Sequence, residues 1–173
     1  MVKIFIPFLF FAALSYSGFT QTAAYHFNRG NFLSGNGDYN QAIANYNKAL
    51  EYDPKLQEAY FNRGVAKYKL NDYASAIKDY TTAITLKPED DEAHFNRGVC
   101  KTKSNDLAGA LQDYNRAILL NPHYAQAYMN RGNCRYKLND KEGACSDWQR
   151  ASEFGLHDAN NENYCNDLKQ QQN

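Results

Sequence analysis

The chain has 173 residues, which is enough for one ordinary domain. Lysine plus arginine balance aspartate plus glutamate at 19 each, and this balance excludes a global field that would attract nucleic acid or an anionic membrane surface. Proline is scarce, at 4 residues, and this scarcity favours helices joined by short turns.

The first twenty residues are typical of an export signal. Lys3 gives a short basic start, residues 4–14 are apolar and uncharged, and small residues follow around Ser17. The apolar run of about 11 residues is too short to span a bilayer, which takes roughly 20. We therefore predict a signal peptide over residues 1–20, cleaved after Ser17 or Thr20, and an exported protein, periplasmic or secreted, with no membrane insertion after cleavage. A buried first helix is the alternative interpretation.

A fourfold internal repeat follows. The tripeptide Asn-Arg-Gly begins at residues 28, 62, 96 and 130, so each copy starts 34 residues after the last. If its glycine is numbered position 8, alanine recurs at positions 20 and 27, an aromatic residue at position 24 and, in three copies, proline at position 32. The four copies are then contiguous, at residues 23–56, 57–90, 91–124 and 125–158.

The recurring residue types predict a pair of antiparallel helices in each repeat. Small residues at positions 8 and 20 allow the two helices to approach closely, and the aromatic residue at position 24 fills the space beside them. Asn71-Asp72 and its counterparts at positions 15 and 16 combine a helix stop with a helix start, where the hairpin must turn. Proline at position 32 ends the second helix, although Leu156 replaces it in the last repeat.

This pattern resembles the tetratricopeptide repeat over residues 23–158. The resemblance implies an all-α fold, a right-handed α-α superhelix of four helical hairpins within a repeat domain spanning residues 21–158. It also implies that the first helices line a concave groove that holds peptides or protein segments. The chain departs from the family pattern at position 7, which is arginine instead of a large apolar residue, and at position 11, which is lysine or arginine in repeats 2 to 4.

Residues 159–173 are predicted to form a C-terminal capping helix and a frayed tail. The segment from Ala159 to Leu168 has helix periodicity, with Tyr164 and Leu168 on one face and mostly polar residues elsewhere. A solenoid needs such a helix to cover the apolar surface of its last repeat. With two helices in each repeat, the cap is expected to be the ninth helix, and the chain is expected to fray from Gln170 onward.

Two rows of residues on the first helices are candidate groove contacts. The resemblance points position 6 into the groove, where a row of side-chain amides can donate to and accept from the peptide units of an extended chain. Position 5 is an apolar row, and exposed apolar rows mark interaction surfaces. The alternatives are solvated asparagines and packing of position 5 between adjacent first helices. The rows are Asn28, Asn62, Asn96 and Asn130 at position 6, and Phe27, Phe61, Phe95 and Met129 at position 5.

Position 7 is arginine in every repeat, and position 23 is aspartate in repeats 2 to 4. In an antiparallel hairpin that turns between positions 15 and 16, positions 7 and 24 lie level, so the arginine can reach the aspartate. A partly buried bidentate pair satisfies both charges and fixes the register of the two helices. We predict structural ion pairs, rather than ligand contacts, between Arg63 and Asp79, Arg97 and Asp113, and Arg131 and Asp147.

All four cysteines lie in the second half of the chain, and an exported protein meets an oxidising compartment. The capping helix is expected to pack on the second helix of repeat 4, which brings Cys165 to Cys145. This bridge would close a loop of about 20 residues and stabilise the fold by roughly 3 kcal/mol. A bridge between Cys134 and Cys145, or four free thiols, are the alternatives, whereas Cys100 and Cys134 lie too far apart to be joined.

The chain carries no recognisable catalytic motif, phosphate-binding loop or paired metal ligands, so we expect no enzyme activity, no cofactor and no metal. Some chaperone-binding members of the family clamp a C-terminal carboxylate with cations at set positions. Phe27, Glu92 and Asn96 occupy those cation positions here, so carboxylate capture of that kind is not expected.

These patterns predict a non-enzymatic module for protein–protein interaction, which binds a peptide or protein segment in its concave groove. The alternative is a rigid structural component of a cell-envelope or secreted assembly that uses its convex or end surfaces. Another protein or a peptide is the expected partner, and nucleic acid is not. The patterns specify neither the identity of that partner nor the oligomeric state.

Overall fold

The computed structural model describes the backbone of residues 9–170 and the side chains of residues 22–170 except those of Ala159 and Lys169. Within this part the chain forms nine α-helices and no strand. The helices are α1 (Leu9–Gly35), α2 (Tyr39–Tyr52), α3 (Gln57–Lys69), α4 (Tyr73–Leu86), α5 (Asp91–Lys103), α6 (Leu107–Leu120), α7 (Ala125–Lys137), α8 (Lys141–Glu153) and α9 (Ala159–Gln170).

Two predictions, the signal peptide and the frayed tail, concern the ends of the chain. The side chains of the predicted signal peptide, residues 1–20, all lie outside the described part, and so does the backbone of residues 1–8. From Leu9, α1 runs into the first repeat without a break. No helix in the described part is both long and apolar enough to cross a membrane. The predicted frayed tail begins at Gln170, which is the last residue of α9, and residues 171–173 lie outside the described residues. The export signal and the frayed tail therefore stay predictions.

Helices α1 to α8 form four hairpins, one for each repeat, and each second helix also packs on the first helix of the next repeat. Neighbouring first helices touch one another, whereas no two second helices of the described chain do so. The stack therefore curves with α1, α3, α5 and α7 on its inner side. The predicted all-α, right-handed superhelix of helical hairpins with a C-terminal helix is confirmed.

Positions 15 and 16 build the hairpin turns. Asparagine tolerates the left-handed backbone region and glycine adopts it freely, so either residue can stop the first helix. The φ angles there are 84° at Gly37, 62° at Asn71, 63° at Asn105 and 65° at Asn139. In repeats 2 to 4 the aspartate that follows then caps the second helix by accepting a hydrogen bond from a backbone N–H, whereas the side chain of Asp38 makes no such bond. Asp72, Asp106 and Asp140 accept from Ser75, Gly109 and Gly143, respectively.

Each hairpin is closed by contact between the glycine at position 8 and the aromatic residue at position 24. Tyr46 is 1% exposed and Trp148 is 5% exposed. A Cβ atom added to Gly30 would lie 2.6 Å from Cε1 of Tyr46, and one added to Gly132 would lie 2.7 Å from Cδ1 of Trp148. Since no real Cβ approaches a ring so closely, glycine is needed at position 8 because the ring fills the available space.

Small residues at positions 3 and 10 form the contact between successive repeats. Ala66 packs with Leu33, Ala42 and Tyr46 of repeat 1, and Cys100 and Cys134 pack in the same way on the repeats before them. Burial raises the pKa of Cys100 to about 12 and also raises the pKa of Cys134, so both stay neutral thiols in the core. In repeats 2 to 4 these positions are fully buried, at Ala59, Ala66, Ala93, Cys100, Ala127 and Cys134.

Helix α9 lies over both helices of the last hairpin. The Tyr164 ring packs edge-on against Tyr136, at 5.2 Å between centroids, and against Trp148 at 6.2 Å. On the α7 side, the Asn161 amide donates to Sδ of Met129 at 3.4 Å. The helix therefore covers part of the exposed end of the last hairpin through these side chains, as is expected of a cap.

A disulfide joins α9 to α8. Cys145 and Cys165 are bonded, with their Cα atoms 5.6 Å apart and a sequence separation of 20. Cys100 and Cys134 are free and buried. Of the alternatives that the sequence left open, the structure thus contains the bridge that fixes the terminal helix.

Candidate functional site

The position-6 asparagines lie along the inner side of the solenoid, one on each first helix. Asn28 is exposed, and the other three are half-buried. The amide nitrogen of Asn62 donates to Oδ1 of Asn31 at 2.8 Å, and the Tyr46 hydroxyl donates to the same oxygen at 2.8 Å. Asn96 and Asn130 make no side-chain hydrogen bond with another described residue. The row is therefore divided, since Asn62 holds a neighbouring repeat while Asn96 and Asn130 keep free amides.

The three position-5 phenylalanines pack on their own hairpins. The Phe61 ring lies 5.7 Å from Tyr80, and the rings of Phe27 and Phe95 have equivalent partners at position 24. All three phenylalanines are half-buried. Met129 is also half-buried and contacts Asn161 of α9. Each member of this row thus stabilises the scaffold and leaves only part of its surface for a ligand.

The position-7 arginines of repeats 2 to 4 form bidentate pairs with the aspartates at position 23. In repeat 3, Nε and Nη2 of Arg97 donate to the two carboxylate oxygens of Asp113 at 3.0 and 2.6 Å. The aspartate is 3% exposed, so its charge depends on this partner. The structure contains the same pair at Arg63–Asp79 and at Arg131–Asp147.

Sequence reasoning missed a second cation on each of these carboxylates. This cation lies at position 11: Nζ of Lys101 is 2.8 Å from a carboxylate oxygen of Asp113. At the same position of their repeats, Lys67 pairs with Asp79 and Arg135 pairs with Asp147. Positions 7 and 11 lie one helical turn apart on one face, so the i, i+4 basic pair was the available signal. Each buried aspartate is therefore held between two cations, which makes these residues structural.

The arginines also join one repeat to the next. Nη1 of Arg97 donates to the Thr81 hydroxyl at 3.1 Å, and this threonine lies at position 25 of the preceding repeat. Arg63 and Arg131 reach Asn47 and Asn115, which lie at the same position of their preceding repeats, at 2.6 and 2.7 Å. One guanidinium thus fixes both the register of its hairpin and the docking of that hairpin on its neighbour.

A cavity of about 560 Å³ lies where α9 closes the inner side of the solenoid. Its lining comes from α5, α7 and α9, with contributions from α6 and α8, and includes Asn130, Asn133, Tyr136 and Tyr164. Nε1 of Trp148 donates to Oδ1 of Asn133 at 3.0 Å. Since an indole N–H can only donate, this contact sets the orientation of the Asn133 amide and leaves its amino group as a donor.

A second cleft, of about 760 Å³, separates α8 from α9, and its lining includes Ser152, His157 and Glu162. Nδ1 of His157 lies 2.6 Å from Oγ of Ser152 and 3.4 Å from Oε1 of Glu162. A nucleophilic triad uses different ring nitrogens for the serine and the acid, whereas one nitrogen faces both here. The cluster therefore connects α8 to α9 and is not arranged for catalysis. Across the described residues, no group of three acidic, histidine or cysteine side chains has a metal-binding arrangement.

Solved structures with the same fold include two crystal structures of MamA. One aligns with a TM-score of 0.75 and 23% identity over 78% of this chain and 73% of that one. The other has a TM-score of 0.75 and 19% identity over 88% of this chain and 96% of that one. At these identities the likeness shows the fold alone.

A third solved structure is the first TPR of Spaghetti (RPAP3) bound to the HSP90 peptide SRMEEVD. It aligns with a TM-score of 0.68 and 28% identity, over 69% of this chain and 95% of that one. No curated protein sequence matches the chain at a significant level.

Family models match nearly all of the repeat region. A TPR repeat model matches residues 30–71, one tetratricopeptide repeat model matches residues 58–90 and 91–124, and another matches residues 126–153. These matches follow the 34-residue period and the helical hairpins described above. The chain therefore belongs to the tetratricopeptide-repeat family.

Proposed function

We propose that this protein is a non-enzymatic interaction module that binds an extended peptide or protein segment along the inner side of its solenoid, here called the groove. The observation that carries the proposal is the pair of half-buried amides of Asn96 and Asn130, which have no side-chain partner in the described chain. An amide donates and accepts, so it matches the N–H and C=O groups of one peptide unit.

The relatives support this class of function. Tetratricopeptide-repeat proteins generally serve as scaffolds that bind proteins or peptides, and the RPAP3 repeat domain was solved with a bound HSP90 peptide. That ligand is not transferred to this chain, because Phe27 and Glu92 stand where the resemblance requires cations. Backbone recognition by amides needs no such cations.

The test compares two double variants that both replace asparagine with alanine, one inside the groove and one outside it. Ten-residue peptides are selected from a random display library on the wild-type protein and then measured by fluorescence anisotropy. Asn96→Ala combined with Asn130→Ala is expected to weaken binding at least tenfold, which corresponds to about 1.4 kcal/mol. Asn40→Ala combined with Asn163→Ala, at two exposed positions outside the lining of the α9 cavity, should leave binding unchanged. Equal effects of the two double variants, or the absence of any selected peptide, would contradict groove binding.

The export signal is part of the same proposal. Residues 1–20 keep the basic, apolar and small-residue pattern of a signal peptide, and we place the mature protein in the periplasm or outside the cell. N-terminal sequencing of protein isolated from its host is expected to give a start near Gly18 or Gln21. A start at Met1 would refute export by this route.

A second candidate function, a rigid component of a larger assembly, is favoured by the free end of repeat 1. Tyr25 and Phe32 are 60% and 67% exposed on α1, at positions where later repeats carry buried small residues. An assembly that used this end should release the protein on Phe32→Ser while peptide binding stays unchanged. Co-purification from the native host with the wild-type and variant proteins separates the two functions.

A further inference from the structure

A lysine ends three of the four first helices on the groove face. Lys69, Lys103 and Lys137 occupy position 13, seven residues after the position-6 asparagines, and seven residues are nearly two helical turns. Each lysine therefore lies on the same face of its helix as a groove asparagine. All three are exposed, and none forms an ion pair or hydrogen bond with another described residue.

The cations two residues earlier behave differently. Lys67 and Lys101 bind the buried aspartates Asp79 and Asp113, each at 2.8 Å, so the fold already uses those charges. A lysine in the last turn of a helix is ordinarily explained by the helix dipole, which does not require the groove face. The helix dipole therefore does not explain why the unpaired lysines lie on the groove face.

The cavity at the closed end of the groove indicates a ligand-binding role for two of these lysines. Lys103 and Lys137 both line it, and no aspartate or glutamate does. The amino group of Asn133, oriented by Trp148, is a further donor in the same lining. At about 560 Å³ the cavity has the size of an ordinary ligand pocket. Its described walls thus combine two cations and an oriented donor with no anion to neutralise them.

The charge also changes sign across the groove. The first turns of α3 and α5 carry Glu58 and Glu92, at the end opposite the lysines, whereas α7 has no acidic residue in its first turn. A long polyanion such as a nucleic acid would cross the acidic edge as well as the basic one. A narrower ligand can follow the lysine edge toward α9 and avoid the glutamates. The charges therefore favour an acidic peptide segment.

We propose that the groove selects an acidic peptide segment whose side-chain carboxylates bind Lys69, Lys103 and Lys137, with the α9 cavity as the strongest subsite. This proposal rests on the groove binding proposed above. Packed helices lie roughly 10 Å apart. A chain in the polyproline II conformation rises about 3.1 Å per residue with three residues per turn, so acidic side chains three residues apart lie on one face and meet successive lysines. A row of cations fits several side-chain carboxylates, whereas a chain terminus offers a single carboxylate.

The experiment uses two fluorescein-labelled peptides with amidated C-termini. One is Gly-Ser-Glu-Thr-Ser-Glu-Thr-Ser-Glu-Ser-Gly, and the other has glutamine in place of each glutamate. The acidic peptide is expected to bind the wild-type protein at least tenfold more tightly at 50 mM NaCl, and less tightly at 300 mM because salt screens exposed charges. Lys103→Gln combined with Lys137→Gln should remove this preference.

A matched variant controls for net charge. Lys48→Gln combined with Lys78→Gln removes the same charge from exposed positions on α2 and α4, and should keep the tenfold preference. Equal losses in the two double variants would overturn the assignment to the groove. Thermal melting of each variant checks that both fold.

Other results would also overturn the proposal. No preference for the acidic peptide, or no binding of it by the wild-type protein at 1 mM, would remove acidic selection. Groove binding itself would survive if library-selected peptides still depended on Asn96 and Asn130. Tenfold tighter binding of the same peptide with a free C-terminus would indicate a terminal carboxylate instead, and equally tight, competing binding of a 12-nucleotide oligothymidylate would indicate nucleic acid.

Discussion

The first repeat and the three that follow form the same hairpin, but they differ in whether the arginine at position 7 is paired with a buried aspartate. In repeats 2 to 4 a buried aspartate at position 23 lies between two cations. In repeat 1, Asn45 replaces the aspartate, Leu33 replaces the second cation, and Arg29 is exposed with no ion pair in the described chain. Leu33 is buried in an apolar cluster with Ala42 and Tyr46.

The difference follows from the position of each repeat in the stack. An arginine covered by a preceding repeat loses water and needs a counter-charge, whereas an arginine at the open end keeps its water and needs none. Positions 3 and 10 show the same difference in burial. They are fully buried alanine or cysteine in repeats 2 to 4, and the exposed Tyr25 and Phe32 in repeat 1. The four copies therefore share the residues that close a hairpin and differ in the residues that meet a preceding hairpin.

The largest effect should separate the two kinds of repeat. Asp113→Ala leaves Arg97 and Lys101 without their buried counter-charge, and should lower the free energy of unfolding by about 3–5 kcal/mol. Asn45→Ala, at the same position of repeat 1, should cost less than about 1 kcal/mol because it removes only a neutral partner. Urea unfolding followed by circular dichroism measures both. Similar losses in the two variants would contradict the comparison.

The next largest effect is a loss of stability that should differ between the two ends of the solenoid. Reduction of Cys145–Cys165 opens a loop of 20 residues and should destabilise the capped end by roughly 3 kcal/mol. Hydrogen exchange should then become faster in α9 and α8 while α1 and α2 change little. The double variant Cys145→Ser with Cys165→Ser controls for the reductant. Faster exchange throughout the chain would mean that the bridge stabilises more than the cap.

Hairpin closure should be equally sensitive in both kinds of repeat. A Cβ on Gly30 would lie 2.6 Å from the Tyr46 ring, and one on Gly98 would lie 2.8 Å from the Tyr114 ring. Gly30→Ala and Gly98→Ala should therefore each cost about 1–3 kcal/mol by overpacking. Chemical unfolding of the two variants makes the comparison. A neutral Gly30→Ala would show that repeat 1 is packed more loosely than its geometry indicates.

The smallest expected effect is at the open end. Phe32→Ala should change the free energy of unfolding by no more than about 0.5 kcal/mol, because the ring is 67% exposed. Ala66→Phe places the same ring at position 10 of repeat 2, which is 0% exposed, and should cost about 1–3 kcal/mol. Thermal or urea unfolding of the pair checks this. A large loss from Phe32→Ala would mean that the end face is covered.

Contacts inside one repeat could be predicted from the sequence. Position 7 and position 23 lie on either side of a two-residue turn, so hairpin geometry alone brings Arg97 to Asp113. The same local geometry explains the glycine opposite the aromatic ring and the asparagine and aspartate of the turn. These contacts are short in sequence, and few backbone conformations can satisfy the turn residues.

Contacts between repeats were decided by the tertiary structure. The hydrogen bond from Asn62 to Asn31 and the reach of Arg97 to Thr81 depend on the rotation of one hairpin relative to the next. The period of a sequence gives the size of a repeat and does not give that rotation. For the same reason the sequence alone left the pairing of Cys145 open, because the packing of α9 on α8 decides which sulfur it meets. The 34-residue period thus determined the hairpins, and the stacking of the hairpins decided which of their polar groups are used by the fold and which remain free in the groove.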